Sequence, residues 1–132
     1  MSDSAQSVDV EYHAFPTTTA LPFSAAVRVG NMLYLSGQMG TDGSLKIVPG
    51  GIEAETRQTL ANMKAILERH GSSLDRVVKC MVMMVDMSEW PAMNAIYVQH
   101  FQKHLPARSA FGAAALALGG RVEIECMATV GD

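Results

Sequence analysis

Stretches that alternate apolar and polar residues far outnumber stretches of helical period in this chain, and that imbalance governs what it can fold into. Residues 8–13, ended by Pro16, read as a short strand. Ala25, Val27 and Val29 alternate with Ala26 and Arg28, Gly30-Asn31 supplies a two-residue turn, and Met32-Leu33-Tyr34-Leu35-Ser36 returns. This is the pattern of a β-hairpin. Ile52, Thr56, Leu60, Met63 and Leu67 recur at helical spacing, with Gly71 placed as a C-cap glycine. Residues 77–85 are apolar on both faces apart from Lys79, as a central strand would be. Ser88 fits an N-cap, with Pro91 in the first turn of a second helix whose buried stripe is Trp90, Met93, Tyr97 and Phe101. Residues 107–115 and 121–130 give the last two strands, hinged at Leu118-Gly119-Gly120. The expected order is β-β-β-α-β-α-β-β. Two helices cannot cover both faces of such a sheet, so one face needs another partner, and association of copies is the natural remedy.

The length of 132 residues allows one domain, residues 1–132, with residues 1–7 as a polar tail. An apolar share of 48% against 17% charged is high for this size and agrees with apolar surface buried between subunits. The net charge of −3 and pI near 5.7, with no basic block, offer no footprint for nucleic acid. Cys80 and Cys126 stand in different apolar segments without neighbouring Cys or His. They are expected to be reduced core thiols, although the sequence leaves a disulfide open. The polar, acidic N-terminus carries no signal-peptide pattern and no segment is long enough to span a membrane, so a cytoplasmic protein without membrane partners is expected.

Charge enters the C-terminal third at few places. Pro106-Ala107-Arg108-Ser109 sets an arginine at the start of an otherwise uncharged run, and Val122-Glu123-Ile124-Glu125-Cys126 puts two glutamates into a strand-like segment. Charges in core-like strands are costly unless paired or used. An arginine can grip a carboxylate through two parallel hydrogen bonds, and a carboxylate can move protons. Together they suit chemistry on a small carboxylic acid. A structural salt bridge between adjacent strands accounts for the same residues, and both readings stay open. Glu123 and Glu125 share one strand face. If that face meets another subunit, one of the carboxyls should have a raised pKa suited to proton transfer.

Other polar residues are more ambiguous. Asn94 lies within the apolar stripe of the second helix and either braces a loop or reaches a ligand. Ser36 and Gly37 end a strand, where turn-forming residues are expected anyway. Residues 37–51 hold five glycines and a proline and read as a long loop, a common home for function. His100 and His104 stand four apart but lack a third ligand, so a solvated helix end is favoured over a metal site. His13 and His70 read as isolated and exposed. The methionines of residues 81–87 read as pliable core filling.

The chain is similar to the Rid (reactive intermediate deaminase), or YjgF, family from about Leu21 to Val130. The resemblance rests on Leu35-Ser36-Gly37-Gln38, Gly50-Gly51-Ile52, Thr56-Arg57-Gln58, Asn62-Met63-Lys64-Ala65-Ile66-Leu67, Asn94-Ala95-Ile96-Tyr97, Pro106-Ala107-Arg108-Ser109 and Val122-Glu123-Ile124-Glu125. It implies a chorismate-mutase-like α/β (α+β) fold: a mixed sheet with two helices on one face, forming a homotrimer with clefts between subunits. It also implies hydrolysis of 2-imino acids or enamines to 2-keto acids and ammonia, without metal or cofactor. By the same resemblance Arg108 binds the substrate carboxylate, Glu123 places or activates water, and Ser36, Gly37 and Asn94 line the pocket. Leu21-Pro22-Phe23 stands where the family commonly has Gly-Pro-Tyr, so Phe23 keeps an aromatic wall but loses a phenol. Ala110 replaces a frequent Cys, and Gly112-Ala113-Ala114-Ala115-Leu116-Ala117 replaces Glu-Val-Ala-Arg-Leu-Pro. These departures make the pocket more apolar and suggest a specialised branch. The alternatives are a pathway enzyme acting on a related unsaturated or aminated acid from aromatic or pyrimidine breakdown, and a non-enzymatic module that binds small carboxylates.

Overall fold

A computed structural model describes residues 7–17 and 20–131, so most of the polar tail lies outside the described residues. The strands are β1 (Val10–His13), β2 (Ala26–Val29), β3 (Met32–Leu35), β4 (Gln38–Met39), β5 (Val77–Met84), β6 (Ala107–Gly112) and β7 (Val122–Thr129); the helices are α1 (Gly51–Arg69) and α2 (Trp90–His100). They form one mixed sheet in the order β1-β2-β3-β7-β5-β6, antiparallel except for β5 and β6. The Gly30-Asn31 hairpin forms as the turn chemistry requires, with Val29 opposite Met32.

Alternation along the strands sends one set of side chains into a single core. Leu33 and Leu35 of β3, Cys80, Val82 and Met84 of β5, and Val122, Ile124, Cys126 and Ala128 of β7 pack against Leu60, Met63 and Leu67 of α1 and Met93, Tyr97 and Phe101 of α2. Both helices therefore lie on the same face. A bulge between Val77 and Lys79 lets Val77 and Cys80 both point inward despite their odd spacing. The other sheet face is open. It presents Val10, Tyr12, Tyr34 and Phe111, all exposed, beside the half-buried Met81, Met83, Glu123 and Glu125. Strand β5 is central in the sheet, as expected, but its second face is uncovered within one chain.

Three local expectations need correction. The segment after Gly37 is not all loop: Gln38 and Met39 pair with Ile124 and Glu123, so β4 extends the sheet. It is held there by Asn62, whose amide donates to the Met39 and Thr41 carbonyls at 2.9 and 3.0 Å. Gly40 lies so close to α1 that a Cβ would sit 2.7 Å from the Glu55 carbonyl oxygen. Ser88 is not the N-cap of α2. A short 3-10 turn, Met87–Glu89, precedes the helix, and the Asp86 carboxylate caps that turn by accepting from the Ser88 amide at 2.9 Å. Finally, β6 ends at Gly112, short of the expected residue 115, and a short 3-10 turn at Ala117–Gly119 follows. Among the described residues no helix is long and apolar enough to cross a membrane.

Candidate active site

The line of β3 and β4 runs along one edge of β7 with a break in its middle. Tyr34 pairs with Met127 and Gln38 with Ile124, so Leu35, Ser36 and Gly37 span a stretch that β7 covers with only Glu125 and Cys126. One extra residue is accommodated, which is a β-bulge, a device that re-aims backbone and side chains beside functional sites. Ser36 pins it: its hydroxyl donates to the Ser24 carbonyl at 2.6 Å and its amide to Ala25 at 3.1 Å. The Gln38 side chain donates to the Ser36 carbonyl at 3.1 Å.

Gly37 then leaves space that a side chain would fill. A Cβ there would collide with the Glu123 carboxyl group, so the missing methyl is what lets that carboxyl lie against the bulge. Glu123 stands on the open face of β7, half-buried, with Glu125 two residues along on the same face. Burial, and secondarily the neighbouring Glu125 charge, hold its carboxyl above the ordinary range. Neither glutamate has an ion-pair partner among the described residues. A carboxyl so placed can accept and return a proton.

Glu123 and Gly37 form the base of a cavity of about 540 Å³, walled by Phe15, Phe23, Met39, Leu45 and Leu118. Phe23 meets Phe15 edge-on, with ring centroids 5.7 Å apart. Phe23, expected as an aromatic wall, lines this cavity. Ser36 does not line this cavity; its hydroxyl is spent on holding the bulge.

Arg108 is elsewhere. It pairs in register with Cys80 on the helix-covered side of β6, and its guanidinium lies 4.8 Å from the Tyr97 ring centroid and 5.7 Å from that of Trp90. Both distances suit cation–π contact. Asn94 falls four residues after Trp90 and three before Tyr97, on the same helix face. Its Oδ1 is buried without a hydrogen-bond partner, so it braces no loop, and such an atom is the kind a ligand satisfies. Ala110 packs against the core on this side. β5 stands between β6 and β7, so Arg108 and Glu123 are not on adjacent strands and the interstrand salt bridge does not exist. Two strand spacings of about 5 Å each, a register offset along β7 from Cys126 to Glu123, and opposite sheet faces separate them. The structure thus brings Phe23, Gly37 and Glu123 to one cavity and places Asn94, Ala110 and Arg108 on the helix-covered side of the sheet, as two separate groups.

Elsewhere, His13 and His70 are not isolated: their rings stack with centroids 4.4 Å apart, and His70 is pushed down from its usual pKa chiefly by burial. His100 is tied to the Ile96 carbonyl through Nδ1 at 3.0 Å. Among the described residues no group of three or more His, Cys, Asp or Glu is placed to hold a metal. Cys80 and Cys126 face each other across β5 and β7 as free, buried thiols raised by burial, so the open disulfide is not formed. Sequence reasoning missed Phe15, Met39, Leu45 and Leu118 as cavity residues, and Glu55, whose carboxylate accepts from the Arg121 amide at 2.8 Å.

Residues 14–130 match the family model described as Endoribonuclease L-PSP. The chain is 45% identical over 111 residues to a goat protein named 2-iminobutanoate/2-iminopropanoate deaminase, covering 83% of this chain and 81% of that one. It is 37% identical to Reactive Intermediate Deaminase A of Arabidopsis thaliana, over 98% of this chain and 71% of the relative. The crystal structure of RidA from an Antarctic Psychrobacter superposes with a TM-score of 0.80 at 35% identity, covering 96% of this chain and all of that one.

Proposed function

The chain belongs to the endoribonuclease L-PSP family, the YjgF or Rid family, and on that footing we propose that it is a hydrolytic deaminase of 2-imino acids. The observation that carries this reading is Glu123: a carboxyl held above its usual range at the base of a cavity, with a glycine opposite that leaves it room. Water adds to C2 of the imine while Glu123 accepts its proton. The proton passes to nitrogen to give a carbinolamine; the hydroxyl proton then moves to the amino group, the C–N bond breaks, and ammonia leaves a 2-keto acid whose carbonyl oxygen came from the water. The imine is already reactive, so positioning and proton transfer are the main demands.

The carboxylate of the substrate needs a cation, and Arg108 is the one expected to provide it. Because Arg108 and Glu123 stand on opposite faces of the sheet, a complete site requires two copies, one offering Arg108, Asn94 and Ala110 and the other Phe23, Gly37 and Glu123. The exposed apolar residues of the open face support association of three copies through that face, with one site between each pair. The net charge of −3 and an acidic group at the cavity base oppose a polyanion such as RNA.

The test is ammonia and keto-acid release from 2-iminobutanoate and 2-iminopropanoate generated in situ, together with mass by light scattering. Turnover with about three times the 14.2 kDa chain mass supports the reading. A monomer that turns over at full rate removes the shared site, and binding without turnover leaves a carboxylate-binding module.

A further inference from the structure

Among the described residues, the non-glycine residues with positive φ are two leucines, Leu45 and Leu118, each at φ 60°. Both are exposed, and both line the cavity above Glu123. Leu45 closes a three-residue hairpin loop. Its amide donates to the Asp42 carbonyl at 3.1 Å, the Asp42 amide donates to Lys46 at 2.8 Å, and the Asp42 side chain accepts from the Ser44 and Lys46 amides. In such a loop the left-handed position is normally glycine. Leu118 is the first central residue of the turn Ala117–Gly120, closed by a 3.1 Å bond from the Gly120 amide to the Ala117 carbonyl, with Gly119 at φ 71°. Positive φ at both central residues defines a type I′ turn, where Asn, Asp and Gly dominate.

Each leucine is thus unfavourable twice, through its backbone and through its apolar exposure. Neither backbone outlier serves the core, and together they flank one cavity from two separate segments. Outliers of this kind point from strain toward function. Phe15, Phe23 and Met39 continue the same apolar wall, and about 540 Å³ lies in the range that holds ligands well beyond a three-carbon acid. We propose that Leu45 and Leu118 are specificity-determining residues that grip an apolar substrate side chain over Glu123, so that the chain prefers 2-imino acids with branched or aromatic side chains to 2-iminopropanoate. This rests on the deaminase reading above.

The variants Leu45→Gly and Leu118→Gly relieve the backbone while removing the grip. Imines are generated in situ by an amino-acid oxidase from alanine, leucine and phenylalanine, and kcat/KM is compared alongside thermal midpoint and mass. The expected result is an unchanged or raised midpoint, a roughly tenfold to hundredfold fall for the leucine- and phenylalanine-derived imines, and less than about a threefold change for the alanine-derived one. Leu118→Asn, which also suits the left-handed turn, should follow Leu118→Gly. Equal changes on large and small imines, no change on either, or a shift in mass would overturn the proposal, the last by making the leucines subunit contacts. A parent chain inert on every imine overturns the deaminase reading as well, and is told apart because the failure precedes any substitution.

Discussion

Glu55 and Glu123 are both carboxylates drawn partly out of water, yet the fold treats them in opposite ways. Glu55, only 4% exposed, accepts the Arg121 amide at 2.8 Å and faces the Arg121 guanidinium at 3.9 Å. Arg121 is in turn held by Glu89 at 3.0 Å, so the Glu55 carboxylate is answered by a cation that is itself fixed in place. Among the described residues Glu123 has no cation partner; it has a second carboxylate beside it and a glycine opposite that leaves it space. A structural charge is satisfied within its own chain; Glu123 is not, which is what its proposed role as proton acceptor requires.

The sharpest way to break this contrast is Glu123→Gln, which keeps the shape and removes the proton acceptor. Turnover should fall about 10²–10⁴-fold while the chain stays folded. The pH dependence carries the sign. Glu123 has a folded pKa above its unfolded value of 4.5, so between the two the native state binds the extra proton. Glu123 therefore destabilises the fold as pH rises through that window. The glutamine variant should lose this slope and be at least as stable as the parent at pH 7, as thermal melts across pH would show. A less stable variant would mean Glu123 is structural after all.

Arg108→Lys comes next. It keeps the charge but loses the planar fork that matches a carboxylate. Charge-assisted hydrogen bonds of about 1.5–3 kcal/mol are at stake, so affinity for a 2-keto acid should weaken roughly tenfold to a hundredfold by calorimetry. Parental affinity would remove Arg108 from the site. Glu55→Ala tests the other side of the comparison. Leaving the Arg121 amide and guanidinium without the Glu55 carboxylate should cost about 1–3 kcal/mol of stability in denaturant titrations, with turnover of the folded fraction retained. The smallest effect is expected from Phe23→Tyr. One added hydrogen bond is worth about 0.5–1.5 kcal/mol, so turnover should change by no more than roughly tenfold.

Much of this was readable from residue order. Gly30-Asn31 dictates its hairpin locally, and the spacing of Ile52 to Leu67 dictates α1, because both signals act over neighbouring residues. The separation of Arg108 from Glu123 was not readable. β6 and β7 follow one another in the chain, whereas in the sheet β7 inserts between β3 and β5 through contacts distant in sequence. The same holds for β4, whose two residues are too few to alternate visibly, and for His13 against His70, which only the tertiary fold brings together. Asn94 and Glu123 stand out in the sequence because a polar residue in an apolar pattern is conspicuous; Leu45 and Leu118 do not, because leucine looks like core until its backbone angles are known.

The insertion of β7 between β3 and β5 also sets the order in which the molecule can be completed. Every other strand and both helices precede β7 in the chain, so during synthesis the N-terminal hairpin and the β5-α2-β6 unit emerge with the seam between them unfilled. Until β7 docks, β3 and β5 each expose a row of unpaired backbone groups, edges of the kind that recruit other chains. Closing that seam requires contacts across most of the sequence, which places the fold among the slower topologies. The half-built state is therefore the one most exposed to aggregation, and the strand that carries Glu123 is also the one that ends it.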